Sequence, residues 1–173
     1  MCRNGRPNIL RLWPVTTNAF LDESPMYFED IPIGRVFRTS GRTITETDIV
    51  AFAGLSADYN SLHVDAHFAA GTPLQGRVAQ GLLVLSITTG LTTRLPIYAR
   101  IGNSVRGLNT VKCTWPKPTR IGDTIYGELV YTDTNETVDA SLGEATLWRN
   151  ARNQDGDVVM ESEWKVLVAR RPG

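Results

Sequence analysis

One run of the chain limits the fold more than any other: Gly81-Leu82-Leu83-Val84-Leu85-Ser86-Ile87-Thr88-Thr89-Gly90-Leu91, continuing to Leu95. The β-branched Val84, Ile87, Thr88 and Thr89 favour a strand. Strands, however, are usually about 5–6 residues, so the length of the run decides for a helix over 81–95. Its apolar positions lie nearly all around the axis at the start, which predicts burial on most sides. Ser86, Thr88, Thr89, Thr92, Thr93 and Arg94 interrupt it, so it does not read as a membrane span. Such a helix needs cover, and the rest of the chain must supply it.

The cover comes from strands. After Pro96, residues Leu108 to Trp115, Thr124 to Thr132, Ala140 to Arg149 and Val158 to Val168 carry the β-branched and aromatic residues of strands. Turns are expected at Pro116-Lys117-Pro118, at Thr132-Asp133-Thr134-Asn135 and at Gln154-Asp155-Gly156, the last a hairpin signal. Upstream, Ile31-Pro32-Ile33-Gly34 reads as a turn and Val36 to Ile44 as a strand. Thr45 then caps a helix with Asp48 as its acidic third residue. Ile49, Phe52 and Ala53 follow at helical spacing, and the helix ends near Gly54 or Leu55. Asp58 to Leu62 favours a loop, because Asp, Asn and Ser side chains bond nearby backbone. Asp65 caps a short helix through Phe68 and Ala69, and Gly71 to Gly76 is a loop. A curved antiparallel sheet wrapped around one buried helix gives a single α+β domain of the hot-dog type. It is expected over residues 26–170. Residues 1–25 form an N-terminal extension whose Leu10, Trp13 and Phe20 could pack on a neighbouring surface.

Composition excludes several classes of function. The 173 residues carry 18 basic and 18 acidic side chains, a formal net charge of zero, so neither a nucleic-acid surface nor a membrane-adsorbing patch is expected. Cys2 and Cys113 are too far apart to make a framework and no disulfide is expected between them, which points to a reducing, cytoplasmic compartment. Pro7, Arg11 and Pro14 break the stretch that a signal peptide would need. Neither a phosphate-binding glycine loop nor a dinucleotide fingerprint occurs, so no redox cofactor is implied.

The residues that carry chemistry are concentrated in Ala57-Asp58-Tyr59-Asn60-Ser61-Leu62-His63. Preceded by Phe52-Ala53-Gly54-Leu55-Ser56 and followed by Phe68-Ala69-Ala70, this segment resembles the signature of the MaoC-like dehydratases, the R-specific enoyl-CoA hydratases. The resemblance extends through Arg77-Val78-Ala79-Gln80-Gly81-Leu82-Leu83 and Pro116-Lys117-Pro118-Thr119-Arg120-Ile121-Gly122-Asp123-Thr124, and covers roughly Tyr27 to Val168. Three positions depart from the usual pattern. Ala57 replaces a glycine, Ser61 a proline, and Gln80 the histidine common before the glycine. None of them removes a proton-transferring group that the family assigns.

The resemblance implies reversible hydration of a 2-enoyl-CoA to the R-3-hydroxyacyl-CoA, without a cofactor. Hydration needs water activated for attack on C3, a proton for C2, and stabilisation of the charge that develops on the thioester oxygen. Asp58 and His63 suit the first two tasks, since a carboxylate and an imidazole holding one water can take and return protons at neutral pH. Each taken alone reads as an ordinary loop aspartate or a half-buried histidine; the longer signature favours catalysis. Asn60 is expected to support the loop. Gly81 opens the apolar helix, where unpaired N–H groups and the positive dipole end face outward, and the family uses this N–H as an oxyanion hole. Thr89 aligns with a serine that contacts the active site in some members.

Other readings compete. His63 and His67 have the spacing of a zinc-binding helix, but Val64 stands where the metalloprotease pattern has Glu, so no metal is expected. Arg94, Lys112, Lys117 and Arg120 could meet the phosphates of coenzyme A or simply face solvent. A hot-dog thioesterase binds the same ligands but usually has a carboxylate on the central helix, and 81–95 contains none. A non-catalytic acyl-binding subunit is disfavoured by the presence of both Asp58 and His63. A homodimer or higher assembly is expected, because a lone hot-dog sheet leaves edge strands open to pairing.

Overall fold

The computed structural model describes residues 24–173. After a 3-10 turn at Phe28–Asp30, strand β1 (Val36–Thr43) leads into helix α1 (Glu46–Ser56). Two short helices follow, α2 (Ser61–Val64) and α3 (Ala66–Ala70), then α4 (Gly81–Thr92) and α5 (Pro96–Ile101). Four long strands complete the chain: β2 (Val105–Thr114), β3 (Thr124–Glu136), β4 (Leu142–Arg152) and β5 (Val158–Ala169). The five strands form one antiparallel sheet in the order β1-β3-β4-β5-β2. This is the hot-dog arrangement, with α4 held against the sheet and β1 and β2 as its edges. Cys2, Leu10, Trp13 and Phe20, with the packing expected of them, lie outside the described residues. Cys113 is a free thiol that burial pushes up to about 11.

Alternation along the strands builds the core. On β4, Ala145, Leu147, Arg149 and Ala151 are buried on one face, and on β5 Met160, Ser162, Trp164, Val166 and Val168 are their counterparts. Two apolar clusters result. One gathers Leu129, Tyr131, Leu147, Trp164 and Val166 with Ile97 and Ile101 of α5. The other joins Ile49 of α1, Leu83, Val84 and Leu91 of α4, and Ile125, Ala151 and Met160 of the sheet. Leu85 of α4 packs against both.

The start of α1 forms as its sequence dictates. Thr45 Oγ1 accepts from the Asp48 amide at 3.3 Å, and the Thr45 amide donates to Asp48 Oδ2 at 2.8 Å, a reciprocal capping box. Burial alone raises the Asp48 carboxyl, but its bonds to Thr45 and the Arg42 guanidinium outweigh that effect and hold it below the ordinary value. Its share of stability is therefore present above the unfolded carboxylate range and lost as pH falls through the folded value. Thr45→Ala is expected to cost about 1 kcal/mol in urea unfolding. A variant as stable as wild type would show the cap to be idle.

Several elements differ from the sequence reading. The apolar helix ends at Thr92 rather than Leu95, because Leu95 becomes the cap of α5 and Pro96 its first residue, a position that proline tolerates well. Helix α4 is less enclosed at its start than expected: Leu83 and Val84 are buried, but Leu82 is 59% exposed. The expected turn at Thr132-Asp133-Thr134-Asn135 lies inside β3. A register shift between Tyr131 and Asp133 absorbs the polar residues, Asp133 Oδ1 accepts from the Thr134 amide, and pairing with β4 resumes. The expected loop 58–62 is helical from Ser61, since Asn60 Oδ1 accepts from the Leu62 amide at 3.0 Å and starts α2.

Candidate active site

Ala57 ends α1 in the left-handed region at φ 60°, a conformation that favours glycine. That turn redirects the chain into the Asp58–Asn60 link. Local bonds fix the link: the Asp58 amide donates to Ser56 Oγ at 3.2 Å, and the Asn60 amide donates to Asp58 Oδ1 at 3.4 Å. Asn60 therefore supports the segment twice, through its own amide and as the cap of α2.

Helix α2 carries His63 back toward Asp58. The imidazole Nδ1 lies 2.8 Å from the Val78 carbonyl, which can only accept, so Nδ1 carries a proton and, in the neutral ring, Nε2 presents a lone pair. Nε2 stands 3.8 Å from Asp58 Oδ2. That separation is too long for a direct hydrogen bond and suits one bridging water. The histidine side chain is 14% exposed and the aspartate 47%, so the pair is anchored on the imidazole side and open on the carboxylate side.

The segment that holds His63 also delivers Gly81. The Val78 amide donates to the Leu62 carbonyl at 3.2 Å and the Ala79 amide to the Thr119 carbonyl at 2.8 Å. Gln80, 1% exposed, donates from Nε2 to the Ile49 carbonyl and ties the start of α4 to α1. Gly81 is the first residue of α4, where its N–H has no partner within the helix. The Trp115 indole N–H donates to the Gly81 carbonyl at 2.9 Å, and a Cβ at position 81 would lie 2.9 Å from the indole ring. Glycine is thus required by a close approach and not by its backbone angle.

The remaining candidates are less closely joined to this group. Thr89 lies eight residues beyond Gly81, about 12 Å along the helix axis, and its hydroxyl bonds the Leu85 carbonyl at 2.9 Å. His67 belongs to α3, a different helix from His63, and Asp65 is used as the α3 cap. Among the described residues there is no group of three or more His, Cys, Asp or Glu placed to hold a metal ion. The basic residues already have partners: Lys117 pairs with Asp157 at 2.6 Å, Lys112 with Glu163 at 3.6 Å, and Arg120 and Arg94 bond the Leu74 and Gly90 carbonyls. Sequence reasoning missed Trp115, which only the fold brings over Gly81. No single helix among the described residues is long and apolar enough to cross a membrane.

Comparison with known proteins gives the family. The MaoC like domain family matches residues 29–150, and the chain belongs to that family. The (R)-specific enoyl-CoA hydratase of Rhodospirillum rubrum is 35% identical over 152 residues, covering 84% of this chain and 93% of that protein. The 3-hydroxybutyryl-CoA dehydratase of Methylorubrum extorquens is 36% identical over 101 residues, 58% of this chain and 60% of that one. Of solved structures, the monoamine oxidase regulatory protein of Archaeoglobus superposes with a TM-score of 0.82 at 35% identity, covering 86% of this chain and 97% of that one.

Proposed function

We propose that this protein is a hydro-lyase that reversibly hydrates 2-enoyl-CoA thioesters to R-3-hydroxyacyl-CoA thioesters. The observation that carries the reading is the 3.8 Å gap between His63 Nε2 and Asp58 Oδ2, with the imidazole oriented from behind by the Val78 carbonyl. A water in that gap donates one hydrogen to each partner. Its oxygen attacks C3, the pair takes up the released proton, and that proton returns to C2 on the same face, so one water is added in all. The Gly81 N–H binds the thioester oxygen as negative charge develops there. Asn60 holds the loop, Thr89 lines the acyl path, and the chemistry uses no metal or redox cofactor. The test is incubation of crotonyl-CoA with the protein. Loss of the conjugated thioester absorbance with the thioester bond intact supports hydration, and release of free coenzyme A favours a thioesterase instead.

The working unit is a homodimer in the cytoplasm, built on a domain over residues 26–170. Both edge strands of the sheet are free to pair, and Leu108 on β2 and Trp115 just beyond it are 53% and 41% exposed. Two-fold association covers these side chains and closes the acyl path at the interface. Sedimentation at micromolar concentration is expected to give a dimer; a fully active monomer at every concentration would contradict this.

A further inference from the structure

The side-chain amide of Gln80 is buried and only half used. The Ile49 carbonyl can only accept, so the amide nitrogen faces it, at 3.3 Å, and Oε1 is turned away. That oxygen finds no donor among the described residues. A buried acceptor left unpaired costs stability. Nor does the side chain cap its helix: Gln80 is the N-cap of α4, yet it makes no bond to the free amides there. Neither stability nor capping accounts for an amide at this position.

Its place in the chain does. The Gly81 N–H belongs to the peptide that joins Gln80 to Gly81, so whatever fixes Gln80 also aims that N–H. The Gln80 carbonyl accepts from the Val84 amide at 3.2 Å, which sets one side of this peptide in α4. The side chain reaches the other way, to the middle of α1. From Ile49 that helix runs about 10 Å to Ser56 and passes through Ala57 to Asp58. Two residues before Gln80, the Val78 carbonyl holds the His63 imidazole. The segment Val78–Gly81 is therefore a strut that touches both halves of the candidate site. Its other side-chain tie to α1, Arg77 to Glu46 at 2.6 Å, lies at the exposed start of the helix, and Gln80 makes the buried one. Ile49, Leu83 and Val84 also share an apolar cluster, which holds α1 and α4 together. Apolar packing is non-directional, whereas a hydrogen bond fixes an orientation.

We propose that Gln80 is a positioning residue, whose bond to the Ile49 carbonyl aligns the Gly81 N–H with the Asp58–His63 pair at a cost in stability. This rests on the hydratase reading and deepens it, by naming what aligns its acid–base pair with its oxyanion donor.

The test measures crotonyl-CoA hydration and urea unfolding for wild type, Gln80→Met, Gln80→His, Gly81→Ala and the double variant Gln80→Met with Gly81→Ala. Methionine is close to glutamine in volume and brings no amide, and the Ile49 carbonyl keeps its helical bond inside α1. Gln80→Met is thus expected to be at least as stable as wild type. Its kcat should nonetheless fall roughly 10²-fold with KM unchanged, as when an interaction made only in the transition state is lost. Gln80→His, whose ring N–H can reach the same carbonyl, should recover most of that loss. Gly81→Ala already displaces the N–H, so Gln80→Met should add little to it.

Wild-type kcat in Gln80→Met overturns the proposal. So does a Gln80→Met protein that is less stable or unfolded, the mark of an ordinary structural residue. A Gln80→His variant no faster than Gln80→Met, or a penalty that multiplies in full onto that of Gly81→Ala, overturns it too. An active wild type with an unaffected Gln80→Met removes this inference alone. Wild type that does not hydrate crotonyl-CoA removes the hydratase reading and this inference with it.

Discussion

Asp58→Asn and His63→Gln are each expected to lower turnover of a good 2-enoyl-CoA by about 10²–10⁴-fold, with the circular dichroism spectrum unchanged. The fold should survive because neither side chain supports the core. Asp58 is half exposed and its side chain bonds only its own loop, and the His63 side chain makes one hydrogen bond, to the Val78 carbonyl. His63→Gln can keep a donor toward Val78, but its amide has no basic nitrogen to take up a proton as imidazole Nε2 can. The double variant should be little worse than either single one, because in the proposed mechanism the two groups handle the same proton and the loss is not additive. Near-wild-type turnover in either folded single variant would remove the pair from the mechanism.

Gly81→Ala is expected to reduce turnover by roughly 10²-fold, since a misplacement of about 1 Å at a reacting group carries a penalty of that size. The added methyl meets the Trp115 ring at 2.9 Å, so either the start of α4 or the indole must move, and with it the N–H proposed to bind the thioester oxygen. Trp115→Ala removes the obstacle. The double variant Gly81→Ala with Trp115→Ala should therefore recover part of the activity lost in Gly81→Ala. An active Gly81→Ala enzyme would show that the close approach matters for packing alone.

Much of this fold could be read from the chain because local signals and tertiary demands agree. Thr45 and Asp48 form the capping box they spell, Asp65 caps α3, and the apolar run becomes α4. The errors came where local polarity suggested a break that packing overrode. Asp133 satisfies itself at a bulge within β3, and Pro96 begins a helix instead of ending all helical structure. The candidate site was legible as a motif: Asp58, Asn60, His63 and Gly81 come from one short stretch, and the fold brings Asp58 and His63 within 3.8 Å. Trp115 was not legible, since it reaches Gly81 from beyond the end of β2. Its place depends on a contact between residues distant in sequence, which no local pattern announces.

The most direct test of the central claim is chiral analysis of the product formed from crotonyl-CoA by wild-type protein beside the Asp58→Asn and His63→Gln variants. The predicted result is R-3-hydroxybutyryl-CoA from wild type, with its thioester intact, and almost none from either variant. The S product, free coenzyme A, or equal R product from a variant would contradict the account.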